Sequence, residues 1–125
     1  MSGANIALGA TEAIQVGLGV VSAVVRHPAL LAMEIATTAR AHPGRFQPGI
    51  GLGVPAWMRQ MDLMPSSPLS AVRECVSAVR SLLDGEQVDH QGKVFAFDDV
   101  KLGYPQLDRV PLHLGVIGPK MLQLS

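Results

Sequence analysis

The sequence has little of several residue types that mark particular classes of protein. One cysteine, Cys75, among 125 residues excludes an intrachain disulfide and favours a reducing compartment. Only 4% of the residues are aromatic, so a core must be built from aliphatic side chains and methionine. Ten basic residues balance ten acidic ones, and no run of one charge indicates a nucleic acid or an anionic membrane as partner.

Long apolar runs and a charged leader are also missing. The longest apolar stretch, residues 16–25, is broken by glycines and Ser22 and is far shorter than the roughly 20 residues that span a bilayer. No Lys or Arg precedes Arg26, so the charged start of a secretory signal is absent. These features predict a cytoplasmic protein without a membrane partner.

The chain does contain apolar runs that alternate with helical patterns and stop at glycines. Residues 14–21 (IQVGLGVV) and 45–53 (RFQPGIGLG) are typical of buried strands, and residues 26–42 between them predict a helix that starts at Pro28. Such a crossover makes the two strands parallel, with both glycine-rich ends at the edge where parallel sheets bind ligands.

The remainder continues the alternation. Residues 54–68 form a predicted loop rich in methionine. Residues 87–102 predict a short hairpin or an extended excursion, and residues 110–118 a third apolar strand. Between the loop and the hairpin, a helix with Ser67 as N-cap carries an apolar stripe of Leu69, Val72, Val76, Val79 and Leu83. The order predicts a parallel α/β sheet with three core strands, whereas a barrel of this class needs eight. We therefore expect a segment of a larger protein or a truncated relative of one.

Several residues have a structural interpretation beside a functional one. Cys75 is expected to fill space on a helix, His27 to cap one, and Arg45 to hold the base of a strand. Trp57 and the neighbouring methionines suit either packing or an apolar substrate rim. The four histidines have no metal-ligand spacing, so no metal site is predicted.

The glycines at 49, 51 and 53 also allow two interpretations. They suit either a tight strand end or a ligand that approaches the backbone closely. A dinucleotide fingerprint is disfavoured, because GIGLGVPAW lacks the third glycine and runs into Pro55.

Five segments, in this order, resemble the bacterial luciferase-like monooxygenase superfamily, and more narrowly its coenzyme F420-dependent oxidoreductases. They read TEAIQVGLGVV, RHPALLAMEIATTA, GRFQPGIGLG, PLSAVRECVSAVRSLLDGEQVDHQGKVFAF and YPQLDRVPLHLGVIGPKMLQL. The resemblance implies that residues 1–125 are a partial TIM-barrel domain, corresponding to about strands three to five with their helices. It also implies coenzyme F420 as cofactor, with FMN as the alternative.

The same resemblance implies which residues meet the cofactor. The family has a non-prolyl cis peptide bond in a bulge behind the cofactor ring, and Gly19-Val20 is the matching step. Ser22 follows the bulge as a candidate donor, and Gly51 and Gly53 match the strand end beside the ring. The residues that match the approach of the phosphate tail are Val116, Ile117 and Gly118. Catalytic residues are not identified, and Val54 stands where the sugar-phosphate dehydrogenase branch has an acid.

The function implied is F420- or flavin-dependent hydride transfer with a small-molecule substrate, incomplete as this chain alone. An FMN-dependent monooxygenase is one alternative. A non-catalytic barrel remnant or interaction module is another, because open sheet edges need covering. The partner would then be a further copy of the chain or a complementary barrel fragment.

Overall fold

The computed structural model describes residues 1–103 and 109–115 of the chain. The helices are α1 (Ser2–Gly9), α2 (Pro28–Ala41), α3 (Pro55–Gln60) and α4 (Pro68–Leu83). The strands are β1 (Val16–Gly17), β2 (Val21–Ser22), β3 (Phe46–Gln47), β4 (Gly49–Gly51), β5 (Val88–Gln91), β6 (Ala96–Val100) and β7 (His113–Leu114). Helical and strand segments alternate from α1 to β4, as the sequence predicts, whereas α4 follows α3 without an intervening strand.

The core strands are parallel. β1 pairs with β3, and β4 lies between β2 and β7, with Val21 opposite Ile50 and Ile50 opposite Leu114. β5 and β6 form the predicted antiparallel hairpin. The prediction of a parallel α/β arrangement with an excursion before the third strand is therefore confirmed.

Two predicted strands are each divided in two. Residues 18–20 interrupt the first between β1 and β2, and Pro48, which has no N–H to donate, separates β3 from β4. The prediction that the first strand is buried is wrong, because every residue from 14 to 21 is half-buried or exposed. Ile14 is 55% exposed and Val20 is 41% exposed. Within the described part of the chain, neither side chain packs into the helix-covered core.

The core lies between β4 and the two long helices. Leu31 and Ile35 of α2, Val72 and Val79 of α4, and Ile50 of β4 are fully buried in one cluster. Complete burial of such side chains contributes about 1.5–3 kcal/mol each, before the cost of ordering the chain. The predicted stripe on α4 is confirmed, although Leu69 and Val76 are only partly buried and Leu82 also belongs to it.

Side chains at the helix starts behave largely as predicted. His27 is the N-cap of α2, where its Nδ1 accepts from the Ala29 N–H at 3.1 Å. Its Nε2 therefore carries the proton in the neutral ring and donates to the Ala96 carbonyl at 3.0 Å. Ser67 holds the N-cap position of α4 but accepts no capping bond, and its hydroxyl donates to Ser70 Oγ at 2.8 Å.

Arg45 has the predicted structural role at the base of β3. Its Nε donates to the Ile14 carbonyl at 2.9 Å, and one Nη donates to the Leu8 carbonyl at 3.3 Å and to Thr11 Oγ1 at 2.6 Å. The guanidinium thus joins α1 and the segment before β1 to the strand that starts beside it.

Candidate functional site

The candidate site lies where β2, β4 and β7 end. Because the three strands are parallel, their carboxyl ends meet at one edge of the sheet. The register places Ser22 opposite Gly51. We call Gly19, Val20, Ser22, Gly51 and Gly53 the rim residues, and the structure brings all five together.

The peptide bond between Gly19 and Val20 is cis, as the resemblance implies. It lies in the interruption between β1 and β2. Leu18 just before it still donates its N–H to the Gln47 carbonyl at 3.1 Å, and Ala23 after β2 donates to the Gly51 carbonyl at 2.7 Å. The bulge is therefore held by sheet hydrogen bonds on both sides.

The side chain of Val20 lies against three glycines on the face opposite the helices. A Cβ on Gly51 would lie 2.8 Å from Val20 Cγ2, and one on Gly115 would lie 2.9 Å from Val20 Cγ1. A Cβ on Gly49 would lie 3.0 Å from the same Cγ1. Real Cβ atoms essentially never come closer than 3.0 Å, so Gly51 and Gly115 have room for Val20 only because they are glycine, and a Cβ on Gly49 would be at that limit.

The hydroxyl of Ser22 makes its hydrogen bonds within the protein. Its hydroxyl donates to the Leu52 carbonyl at 2.6 Å and accepts from the Val24 N–H at 3.3 Å. A hydroxyl carries a single proton, so donation to a cofactor would require Ser22 to release Leu52. Ser22 thus links the ends of β2 and β4 in this structure.

Gly53 has a backbone that side chains rarely tolerate. Its φ is +97°, and an added Cβ would lie 3.2 Å from both Cβ and Oγ of Ser22 and 3.4 Å from Cε of Met58. The residue turns the chain from β4 into α3. The prediction that residues 54–68 form only a loop is wrong, because Pro55 starts this short helix.

The apolar residues after β4 divide between packing and exposure. Met58 is buried with its sulfur 3.6 Å from Ser22 Oγ. Trp57 and Met61 are more than half exposed. Of the two interpretations offered by the sequence, packing therefore holds for Met58, and Trp57 and Met61 remain available at the rim.

A row of polar side chains crosses the same face nearer the strand starts. His113 Nε2 lies 3.1 Å from Gln47 Oε1, and Gln47 Nε2 donates to Gln15 Oε1. His113 lies opposite Gly49 on the neighbouring strand, so it is on the face that carries Val20.

None of the five rim residues has an ionisable side chain. Cys75 is fully buried on α4, and burial raises the pKa of its thiol to about 12, as expected of a space-filling residue. Within residues 1–103 and 109–115, no group of three or more His, Cys, Asp or Glu side chains is placed to hold a metal ion. No helix in the same ranges is long and apolar enough to cross a membrane.

Val116, Ile117 and Gly118 lie outside the described residues. Sequence reasoning missed the part played by Gly49, Gly115 and Leu52. The two-residue spacing of Gly49 and Gly51 signals a shared sheet face, but only the pairing of β4 with β7 brings Gly115 beside them.

The fold and rim define a parallel α/β protein with its candidate site at the carboxyl ends of the strands. The family model described as luciferase-like monooxygenase matches residues 3–125. The chain belongs to this family.

Relatives of known activity support the same family. A 5,10-methylenetetrahydromethanopterin reductase of Archaeoglobus fulgidus is 36% identical over 115 residues, which are 92% of this chain and 34% of that protein. The structure also matches the coenzyme F420-dependent tetrahydromethanopterin reductase of Methanopyrus kandleri with a TM-score of 0.84 and 26% identity, over 96% of this chain and 39% of that one.

A second solved structure gives the same result. An F420-dependent secondary alcohol dehydrogenase in complex with an F420-acetone adduct matches with a TM-score of 0.82 and 28% identity, over 95% of this chain and 38% of that one. The chain thus spans little more than a third of the length of these proteins. Its fold corresponds to a segment of their TIM barrel, as the resemblance of the sequence implies.

Proposed function

We propose that this chain supplies part of the cofactor-binding rim of an F420-dependent oxidoreductase that acts on a small-molecule substrate in the cytoplasm. The observation that carries the proposal is the side chain of Val20, which is 41% exposed at the ligand-binding edge of a parallel sheet and backed by glycines. The F420 dependence of the relatives supports F420 as the cofactor.

The rim suits a flat, largely apolar ring. Val20 offers a rigid β-branched surface, and Gly19 beside it leaves the backbone open. Bound there, F420 would supply hydride transfer at its ring. The rim residues would support the ring and exclude water from one side of it.

Acid–base chemistry must come from elsewhere. None of the five rim residues has an ionisable side chain, and Val54, which follows Gly53, has none either. We therefore assign support and orientation of the cofactor to the rim residues, and no proton transfer to them.

Completion of the site requires further strands. Among the described residues, β2 and β7 each pair with β4 only, which leaves one side of each strand without a sheet partner. We infer that the remaining strands come from a longer polypeptide or from a complementary fragment.

Titration of the purified 125-residue chain with F420 and with FMN tests the proposal, with cofactor fluorescence as the readout. We expect binding of F420 in preference to FMN. Val20→Asp should abolish it, because a carboxylate would stand against the ring. Ile14→Asp is the matched control, since it places the same charge on another exposed apolar residue, before β1 and away from the strand ends.

Each other result favours a named alternative. Tighter binding of FMN would favour the FMN-dependent monooxygenase. Binding of neither cofactor by a sample with a cooperative thermal transition would contradict the proposal for this chain and favour the interaction module. Equal loss of binding in both Asp variants would show that Val20 does not contact the cofactor.

A further inference from the structure

The three glycines around Val20 lie on two different strands and share one neighbour. Gly49 and Gly51 are alternate residues of β4, so they face the same side of the sheet, and Gly115 follows the paired strand β7. Added Cβ atoms on all three would approach the methyl groups of Val20 to 3.0 Å or less. The glycines therefore form a recess filled by one isopropyl group.

Backbone conformation does not explain glycine at two of these positions. Neither Gly51 nor Gly115 has a positive φ, unlike Gly44, Gly53 and Gly85. Apart from Val20, the nearest atoms to a Cβ on Gly51 are at 3.5 and 3.6 Å, which is ordinary contact. For Gly115 the nearest atoms all belong to Val20. At both sites the crowding of an added Cβ therefore comes from Val20 alone.

Gly49 differs from Gly51 and Gly115 in the atoms that crowd an added Cβ. A Cβ there would lie 2.4 Å from the Leu18 carbonyl oxygen as well as 3.0 Å from Val20 Cγ1. The backbone of the bulge itself therefore excludes a side chain at Gly49. Removing the methyl groups of Val20 would relieve the crowding at Gly51 and Gly115, but not at Gly49.

We propose that Val20 is a positioning residue whose isopropyl group packs against Gly49, Gly51 and Gly115. This packing fixes the distance between the sheet and the exposed surface of Val20 that supports the cofactor ring. Gly51 is buried and lies beneath Val20. It acts on a cofactor through Val20. The expected effect on F420 binding rests on the proposed function, whereas the packing of Val20 in the recess does not.

Double-mutant cycles test the inference. Gly51→Ala and Gly115→Ala, each made with Val20 and with Val20→Ala, are compared by urea unfolding without cofactor and by F420 titration. With Val20 present, each alanine should lower the folding equilibrium constant about tenfold or more, the usual result of overpacking. With Val20→Ala, the loss should be nearly absent. Gly49→Ala is the control and should stay destabilising in both backgrounds.

The F420 titration should show the same pattern. Gly51→Ala should weaken binding with Val20 present and have little further effect with Val20→Ala. Equal weakening in both backgrounds would mean that Gly51 meets the cofactor directly and would overturn the inference. Equal destabilisation by Gly51→Ala in both backgrounds would also overturn it. Failure of the wild-type chain to bind F420 would contradict the proposed function alone, since the unfolding cycles still test the recess.

Discussion

The hydroxyl of Ser22 donates a 2.6 Å hydrogen bond to the carbonyl of Leu52, across the ends of two parallel strands. The same oxygen accepts from the Val24 N–H, so one side chain organises both chain segments that leave the sheet at the rim. Ser22 is thus a link between rim segments before it is a candidate cofactor ligand.

Ser22→Ala should lower the free energy of unfolding by about 1 kcal/mol, because it removes this bond and leaves the Leu52 carbonyl without its partner. Urea unfolding measures the change. Ser66→Ala, at an exposed position on the loop before α4, is the matched control and should change stability little. If Ser22→Ala leaves stability unchanged while F420 binding is lost, the hydroxyl serves the cofactor and not Leu52.

Gly53→Ala should be destabilising by about 1 kcal/mol or more, because a φ of +97° is unfavourable for alanine. The new Cβ would also crowd Ser22 at 3.2 Å. Gly3→Ala in α1 is the opposite case, since no heavy atom lies within 4 Å of its added Cβ. Alanine there should stabilise the helix by about 0.5–1 kcal/mol. Thermal unfolding distinguishes the two, and a stabilising Gly53→Ala would contradict the assigned backbone conformation.

Glu74 on α4 forms hydrogen bonds with the turn of the β5–β6 hairpin. Its carboxylate accepts from the Val94 N–H at 3.2 Å and from the Phe95 N–H at 3.2 Å, and Gly92 passes so close that any Cβ would overlap Oε1. Glu74→Gln should weaken these charge-assisted bonds by about 1–3 kcal/mol. The amides of Val94 and Phe95 should then exchange hydrogen faster, whereas the exposed control Glu86→Gln should leave their exchange unchanged.

Much of the fold follows from local signals in the sequence. Pro28 at the first position and Pro43-Gly44 after the end predict α2 to within two residues, and the apolar stripe predicts α4. Arg45 at a strand base was recognisable as structural. In each case the residues that decide the structure are near neighbours along the chain.

The remainder depends on contacts between distant segments. The six residues of α3 are too few to show a helical period, and its start at Pro55 also suits a loop. The exposure of Val20 depends on which face of the sheet the helices cover. The packing of Val20 against Gly115 is a contact between residues 95 positions apart in the chain (115 − 20). Sequence therefore indicates where the rim lies, whereas only the strand pairing shows how the glycines and Val20 fit together.

The buried thiol of Cys75 gives a prediction about pH. Its pKa is raised to about 12 in the folded chain by burial, whereas a cysteine in an unfolded chain ionises near pH 8.5. Between these values the unfolded chain loses a proton that the folded chain keeps. Stability contributed by the neutral thiol is therefore complete below about pH 8.5 and falls as the pH rises toward 12, by at most about 1.4 kcal/mol per pH unit.

Cys75→Ala isolates this contribution, because it removes the thiol and leaves every other titrating group in place. Urea unfolding at pH 7.5, 9 and 10.5 should give a stability difference between wild type and Cys75→Ala that shrinks as the pH rises. A thiol reagent at pH 8 should also react with the wild-type chain only after urea is added, since the thiolate and access to it are both lacking in the folded state. A constant stability difference together with rapid labelling of the folded chain would show that Cys75 is not sealed in the core, and that α4 does not pack as the structure places it.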